Sequence, residues 1–294
     1  MTETTRGLAA LLLAAVIWGV LGLYYHALAH VPALEVLAHR VVWSAAFFAL
    51  LLAGSGRLGA IVAALRDHGA AILAAAITVS INWLVYIVAI QTGHALDSSL
   101  GYYMLPLAAV ALGVAFYRER LRPVQWLAVG LAFTAVTILT IGLGAAPWTS
   151  LAIAVSFALY GAVKKGLSLD PIVSVGAEVA LLLPIAAAFL LWPRGAVEVP
   201  GAHFGSDAMT TVLLILTGPV TAAPLILFSY GSRRLPMTTA GLVMYVNPTM
   251  QLAVAVFAFG EPFTRWHAAA FVLIWTALAI YAADGLRRAR RAPA

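Results

Sequence analysis

The sequence predicts an all-α integral membrane protein with ten transmembrane helices, arranged as two inverted five-helix repeats. Of its 294 residues, 63% are hydrophobic and 10% are charged, and the mean hydropathy is +0.99. A soluble domain is nearer ~45–50% apolar and ~25% charged. A helix needs about 20 mostly apolar residues to cross the hydrocarbon core of a bilayer. Such runs lie at 7–26, 34–53, 69–91, 97–117, 123–142, 148–165, 171–192, 209–230, 237–259 and 265–284.

The connections between these segments are short, so they leave no room for a soluble domain. The uncharged stretch 123–163 is long enough for two helices, and Gly142, Gly144 and Pro147 divide it. Only the loop near 193–208 is longer than a dozen residues.

The positions of the basic residues predict the orientation of the chain in the membrane. The net charge is +6, and the 17 Lys and Arg residues are unevenly distributed. Arg194 and Arg265 lie in loops on one side and Arg40 lies near the start of helix 2, whereas the other 14 lie at the termini and in the opposite loops. The positive-inside rule places both termini in the cytoplasm, in the inner (plasma) membrane of a bacterium. Because these charges account for the topology, no nucleic-acid partner is expected.

The sequence contains an internal repeat, which is found when it is aligned with itself at a fixed offset. Helices 4–5 align with helices 9–10 at an offset of 142 residues, and helices 1–2 align with helices 6–7 at an offset of 139. The first offset pairs Leu100, Tyr103, Pro106, Val114 and Glu119 with Leu242, Tyr245, Pro248, Val256 and Glu261. Five is an odd number, so the second copy enters the membrane from the other side, as in many secondary transporters. The predicted repeats are residues 7–142 and 148–284, followed by a basic cytoplasmic tail, 285–294.

Several local segments resemble a known family, the RarD-type EamA proteins of the drug/metabolite transporter superfamily. The matching segments are 34–44, Asn82-Trp83 with Tyr86, 99–103 with Pro106-Leu107, and Tyr160-Gly161 with Lys164-Lys165. The resemblance implies ten helices in two EamA repeats and export of small metabolites or drugs. Leu105, Arg118 and Met244 depart from the family's usual Asn, Gly and Gln, which implies a different or less polar ligand.

Ionisable residues within the apolar runs are the first candidates for function. A charge at the bilayer centre costs roughly 2.5–3.5 kcal/mol even on a lenient scale, so it usually faces a cavity or a partner. His39 and Arg40 could anchor an anionic substrate group; alternatively, Arg40 snorkels to the interface and forms a structural pair with Glu35. Glu178 aligns with His39 at the 139 offset. These two residues are the candidates for proton coupling, and the alternative for Glu178 is a hydrogen-bonded structural carboxyl.

Aromatic and amide side chains supply the other candidates for substrate binding. Asn82, Trp83 and Tyr86 share one face of helix 3, where Asn82 either contacts a ligand or bonds to a neighbouring helix. The further candidates, each of which could equally be a packing or interface residue, are Trp18, Tyr24, Tyr25, Tyr102, Tyr103, Tyr160, Tyr245 and Asn247.

Prolines and a glycine within the apolar runs are candidates for kinks or gates. Pro106 and Pro248 are predicted to kink helices 4 and 9 near their middle, since proline removes a backbone hydrogen bond. Gly218, Pro219 and Pro224 predict either a flexible, broken helix 8 or a fixed kink. Lys164 and Lys165 end helix 6, where they serve topology or function.

The function that these features favour is secondary transport by alternating access. The expected substrate is a small amphipathic metabolite, an amino-acid-like or aromatic compound or a drug, with coupling to protons through His39 and Glu178. Outward movement is implied by the family resemblance alone. Two alternatives stay open, a non-transporting scaffold or receptor and an intramembrane enzyme that uses His39 and Glu178. No Walker A, metal-ligand or dinucleotide motif occurs and the chain contains no cysteine, so neither a cofactor nor a metal is expected. The chain is expected to be a monomer, or a homodimer through helices 5 and 10.

Overall fold

The computed structural model describes residues 2–117, 123–144, 146–191, 203–232, 234–235, 240 and 243–289. Within these ranges the chain is helical and contains no β-strand. The helices are α1 (Glu3–Ala27), α2 (Ala33–Gly54), α3 (Gly59–Gln91), α4 (Ala95–Tyr117), α5 (Pro123–Leu143), α6 (Trp148–Lys165), α7 (Pro171–Leu191), α8 (Ala208–Ser232), α9 (Val246–Ala253) and α10 (Arg265–Ala289). A π-helical turn, Val254–Ala258, continues α9.

Seven of the described helices are long and apolar enough to cross a membrane: α1–α5, α7 and α8. The other three contain shorter apolar stretches, Trp148–Lys164, Val246–Ala258 and Arg265–Ile280. The chain is therefore a multi-pass membrane protein. Each of the ten predicted segments contains a helix; that all ten cross the bilayer stays a prediction.

Parts of the sequence prediction fall on residues that the structure does not describe. These are the basic loop 118–122 with Glu119, the repeat partner Leu242, Arg194 and Arg233, and residues 290–294 of the predicted tail.

The helix α3 begins at Gly59, ten residues before the predicted start at 69. Two helical pieces meet at a kink at His68 (φ −133°, ψ 20°), so the predicted start lies directly after the kink. Arg66 and Asp67 lie in the first piece and are exposed. These two charged residues interrupt the apolar run, so a hydropathy criterion begins the membrane segment after them.

The helices α4 and α8 are continuous at their prolines. α4 continues through Pro106, and α8 continues through Pro219 and Pro224, so α8 is not broken. That either helix is kinked at its proline stays a prediction. Pro248 was predicted near the middle of helix 9, but it lies in the first turn of α9. Backbone N–H groups in a first turn have no partner within their helix, so proline there removes no hydrogen bond. The Met244 carbonyl, which precedes Pro248 by four residues, accepts instead from the Asn247 N–H at 3.1 Å.

Helix packing joins the first five helices to the last five. Among the described residues, the nine most extensive helix pairs each combine one of α1–α5 with one of α6–α10. They are α1–α8, α1–α9, α2–α7, α2–α8, α3–α6, α3–α7, α4–α6, α4–α9 and α5–α10. When α1 is exchanged with α6, α2 with α7, and so on to α5 with α10, the same nine pairs result. The core therefore lies between the two sets of helices, and α5 and α10 pack chiefly on each other.

Polar side chains fasten the helix ends that lie beside this core. The Glu261 carboxylate accepts from the backbone N–H groups of Ala95 and Leu96, both at 2.7 Å, and so caps α4. Asp207 precedes α8 and accepts from the Thr210 N–H at 2.8 Å. Hydrogen bonds from Thr210 lower the pKa of the Asp207 carboxyl, which keeps this cap ionised.

Candidate substrate site and coupling pair

Arg40 is a buried cation in the middle of an aromatic group. Its side chain in α2 is 4% exposed, and its Nη1 donates to the Tyr25 Oη at 2.6 Å. The guanidinium carbon lies 4.0 Å from the centre of the Trp83 ring, within the range of a cation–π contact. Within the described ranges, no acidic side chain forms a salt bridge with Arg40. Snorkelling to the interface, one of the two alternatives for this residue, is not what the structure shows.

The residues around Arg40 come from α1, α3 and α4 and define the Arg40 cluster: Tyr25, Arg40, Asn82, Trp83, Tyr86 and Tyr102. The Tyr86 ring centre lies 6.0 Å from that of Tyr25 and 5.9 Å from that of Tyr102. Two polar atoms of the cluster, Arg40 Nε and Tyr86 Oη, are buried without a hydrogen-bond partner in the described structure. Buried polar groups are rarely left unpaired, so these two atoms are available to a ligand.

Asn82 connects the Arg40 cluster to α6. Its Oδ1 accepts from the Tyr102 Oη at 3.0 Å, and its Nδ2 donates to the Ile153 carbonyl at 3.1 Å and the Ser156 Oγ at 3.2 Å. Both amide hydrogens are thus used within the protein. This geometry agrees with the alternative in which Asn82 bonds to a neighbouring helix. A ligand contact by Asn82 stays a prediction.

A loop segment, His203–Asp207, covers the beginning of α2. The Glu35 carboxylate accepts from the His203 N–H at 2.6 Å, and its second oxygen lies 3.0 Å from the His203 Nδ1. The Phe204 ring stacks on His39 with 5.0 Å between ring centres. Glu35 therefore pairs with His203 and not with Arg40. Both ring nitrogens of His39 are buried without a partner in the described structure.

Glu178 forms a second buried polar group, on α6 and α7. Its side chain is 1% exposed, and its Oε1 lies 2.6 Å from the Nζ of Lys164, whose side chain is 23% exposed. The Tyr160 Oη donates to the other carboxylate oxygen at 3.2 Å, and Lys164 also bonds to Ser174. We call Tyr160, Lys164, Ser174 and Glu178 the Glu178 cluster. In this cluster Lys164 of α6 supplies the positive charge beside Glu178, because α7 itself contains no basic residue.

The remaining predicted site residues lie outside both clusters and have partners of their own. Tyr103 bonds to Thr249 at 2.5 Å and packs against Tyr245, Phe271 and Trp275 on α9 and α10. Asn247 accepts from the Gln251 amide at 2.8 Å. Trp18 packs on Phe228, and Tyr24 donates to the Leu213 carbonyl. Whether any of them contacts a substrate stays a prediction.

Sequence reasoning did not select Ser174, His203 or Phe204. Ser174 lies one helical turn before Glu178, a spacing that places both on one face of α7. This spacing was a usable signal. His203 and Phe204 lie in the long loop, and nothing in the sequence relates that loop to α2.

The fold and the two clusters define a class: a multi-pass membrane protein with buried ionisable groups among its helices. Residues 5–141 match the model of the EamA-like transporter family. The chain is 42% identical to Protein RarD of Streptomyces exfoliatus, over 94% of this chain and 88% of that protein. The uncharacterized transporter YojE of Bacillus subtilis is 38% identical, over 95% of this chain and 94% of that protein. The chain therefore belongs to the EamA-like transporter family, as a RarD-type member, and not to a family of enzymes.

Two further comparisons extend this result. The chloramphenicol-sensitive protein RarD of Pseudomonas aeruginosa is 31% identical over 99% of this chain and 98% of that protein. One crystal structure, of a protein 19% identical, superposes with a TM-score of 0.57 over 97% of this chain and 98% of that chain. At this identity the crystal structure supports the fold alone.

Proposed function

We propose that this protein is a ten-span secondary transporter of the bacterial inner membrane, with both termini in the cytoplasm. Its two halves, residues 7–142 and 148–284, are inverted repeats that rock about a site between them. The observation that carries this proposal is the helix-pair pattern, which is unchanged when helices five places apart are exchanged. Repeats related by a pseudo-two-fold axis are the usual architecture of alternating access.

The Arg40 cluster is the proposed substrate site. It offers aromatic faces and few polar atoms, the composition of a site for a small amphipathic metabolite or drug. The relative from Pseudomonas aeruginosa is named for sensitivity to chloramphenicol, a drug of that kind. Outward transport is the direction that the family relationship favours.

The Glu178 cluster is the proposed coupling site. In the structure the Lys164 Nζ lies 2.6 Å from the Glu178 Oε1 and compensates the charge of the carboxylate. Protonation of Glu178 would leave Lys164 without its counter-charge, and Lys164, which is part-exposed, could then turn to the surface. Proton binding would thereby change how α6 and α7 hold together, and both helices pack on α3. His39, with two unpartnered ring nitrogens, is the second proposed proton carrier.

Proton flux in proteoliposomes tests this function. Vesicles that enclose a pH-sensitive dye receive chloramphenicol or a panel of aromatic metabolites, and wild-type protein should show compound-dependent proton movement. Glu178→Gln should abolish that movement while the compounds still bind. Glu3→Gln is the matched control because Glu3 is an exposed acid. Equal flux in Glu178→Gln and wild type would refute coupling through Glu178, and no flux with any compound would refute proton-coupled transport.

A further inference from the structure

We infer that the Arg40 cluster binds an organic monoanion through its carboxylate, and that it selects such acids over neutral compounds and over zwitterionic amino acids. This inference rests on the proposed function, since the bound acid is taken to be the transported molecule. It narrows the substrate from an amphipathic compound to one with a single negative charge.

The first argument is charge balance. An ion buried in a membrane protein normally has a counter-charge, because leaving it unpaired in low dielectric is strongly unfavourable. The two buried acids of the described structure, Glu35 and Glu178, have other partners. Glu35 accepts from His203 and Glu178 binds Lys164, while the part-buried Glu261 caps α4 and the part-buried Asp97 lies near His94 and His267. No carboxylate that the structure describes therefore pairs with Arg40, and a single carboxylate of a ligand would neutralise its charge.

The second argument is the free edge of the guanidinium group. Nη1 donates to Tyr25, whereas Nε and Nη2 have no hydrogen bond to any residue that the structure describes. These two nitrogens form one side of the planar fork, the side that binds carboxylates in a bidentate manner. The guanidinium carbon lies over the Trp83 ring, 4.0 Å from its centre, and Trp83 accepts no hydrogen bond from this edge. The unpartnered Tyr86 Oη is a further donor in the same cluster.

The third argument concerns what the cluster lacks. None of its six members is acidic, and the Asn82 Oδ1 is already bonded to Tyr102. The ammonium group of an α-amino acid would therefore lose its hydration without gaining a carboxylate partner. The rings of Tyr86 and Tyr102 offer apolar contact to the remainder of the molecule. An aryl carboxylate satisfies all of these features.

Matched acids and amides test the inference on the purified full-length protein in detergent. The probes are benzoate, phenylacetate and indole-3-acetate, each beside its amide, together with phenylalanine, and the readout is the shift of the unfolding midpoint with ligand concentration. At least one acid should bind about tenfold more tightly than its amide and than phenylalanine. The amide loses the charge-assisted bidentate pair, and phenylalanine keeps its carboxylate but buries an ammonium group that has no acidic partner. Equal binding of acids and amides, or no binding by any of the three acids, would overturn the inference.

Three variants locate the binding. Arg40→Gln should weaken the acid that binds by about tenfold or more and leave its amide unchanged, and Arg40→Lys should recover part of the loss. Arg66→Gln is the control because Arg66 is 87% exposed. Unchanged acid binding in Arg40→Gln would overturn the inference; should that variant not fold, the acid–amide comparison on wild-type protein decides. If neutral chloramphenicol drives Glu178-dependent flux but no acid binds, this inference fails and the proposed function stands. If an acid binds through Arg40 but no compound moves protons, this inference stands and the proposed function fails.

Discussion

Gly218 in α8 lies directly against the backbone of α2, and enlarging it should separate two helices of the proposed moving halves. A Cβ atom at Gly218 would lie 2.4 Å from the Trp43 carbonyl oxygen and 3.0 Å from the Ser44 nitrogen, both backbone atoms. Ordinary contact begins at 3.4 Å, so Gly218→Ala requires a shift of about 1 Å between the helices. Backbone atoms cannot turn aside as a side chain can, so the helices themselves must move.

The expected loss follows from this overlap. Overpacking of a tight contact costs about 1–3 kcal/mol, and the better helix propensity of alanine returns at most ~1 kcal/mol. Gly218→Ala should therefore lower the free energy of unfolding by about 1–2 kcal/mol, measured by SDS titration in mixed micelles. Gly130→Ala in α5 is the control, because a Cβ there meets nothing within 4 Å. Equal stability of the two variants would refute the reasoning, and Gly218 would then be a hinge rather than a contact.

Three further predictions concern the polar contacts. Asn82→Ala should destabilise the protein by about 2 kcal/mol, since three inter-helix or inter-residue bonds at ~0.6 kcal/mol each are lost; Thr78→Ala, which loses bonds only to its own helix, should not. An equal effect of both would contradict the role of Asn82. Glu261→Ala should cost about 1 kcal/mol and speed hydrogen exchange at Ala95 and Leu96, and unchanged exchange there would refute the cap. Glu35→Gln should release the loop segment, so that maleimide labels a Ser206→Cys reporter faster in the otherwise cysteine-free chain; an unchanged labelling rate would contradict the Glu35–His203 pair.

Hydrophobic length predicted where the helices lie, because each must satisfy its backbone inside lipid. The same criterion began α3 after the charged residues Arg66 and Asp67 and so missed its first turns, and it could not show that Pro248 lies in a first turn. The site was predictable only as a set of residue types. Arg40, Trp83 and Tyr86 do cluster, but the cation that Glu178 binds comes from another helix, 14 residues earlier in the chain. Tyr103, equally suggestive in sequence, faces α10 instead, since one helix position decides which neighbour a side chain meets.

The packing of α1–α5 against α6–α10 has a consequence for biosynthesis. The amide of Asn82 needs Ile153, which is 71 residues further along the chain. At about 5–20 residues per second, the ribosome takes roughly 4–14 s to supply it. During that interval the early helices sit in the bilayer with polar groups unsatisfied and their packing surfaces open to lipid or to other proteins. A chain that stops before α6 should therefore be a substrate for quality-control proteases, because α1–α5 complete their packing only when α6–α10 have been made.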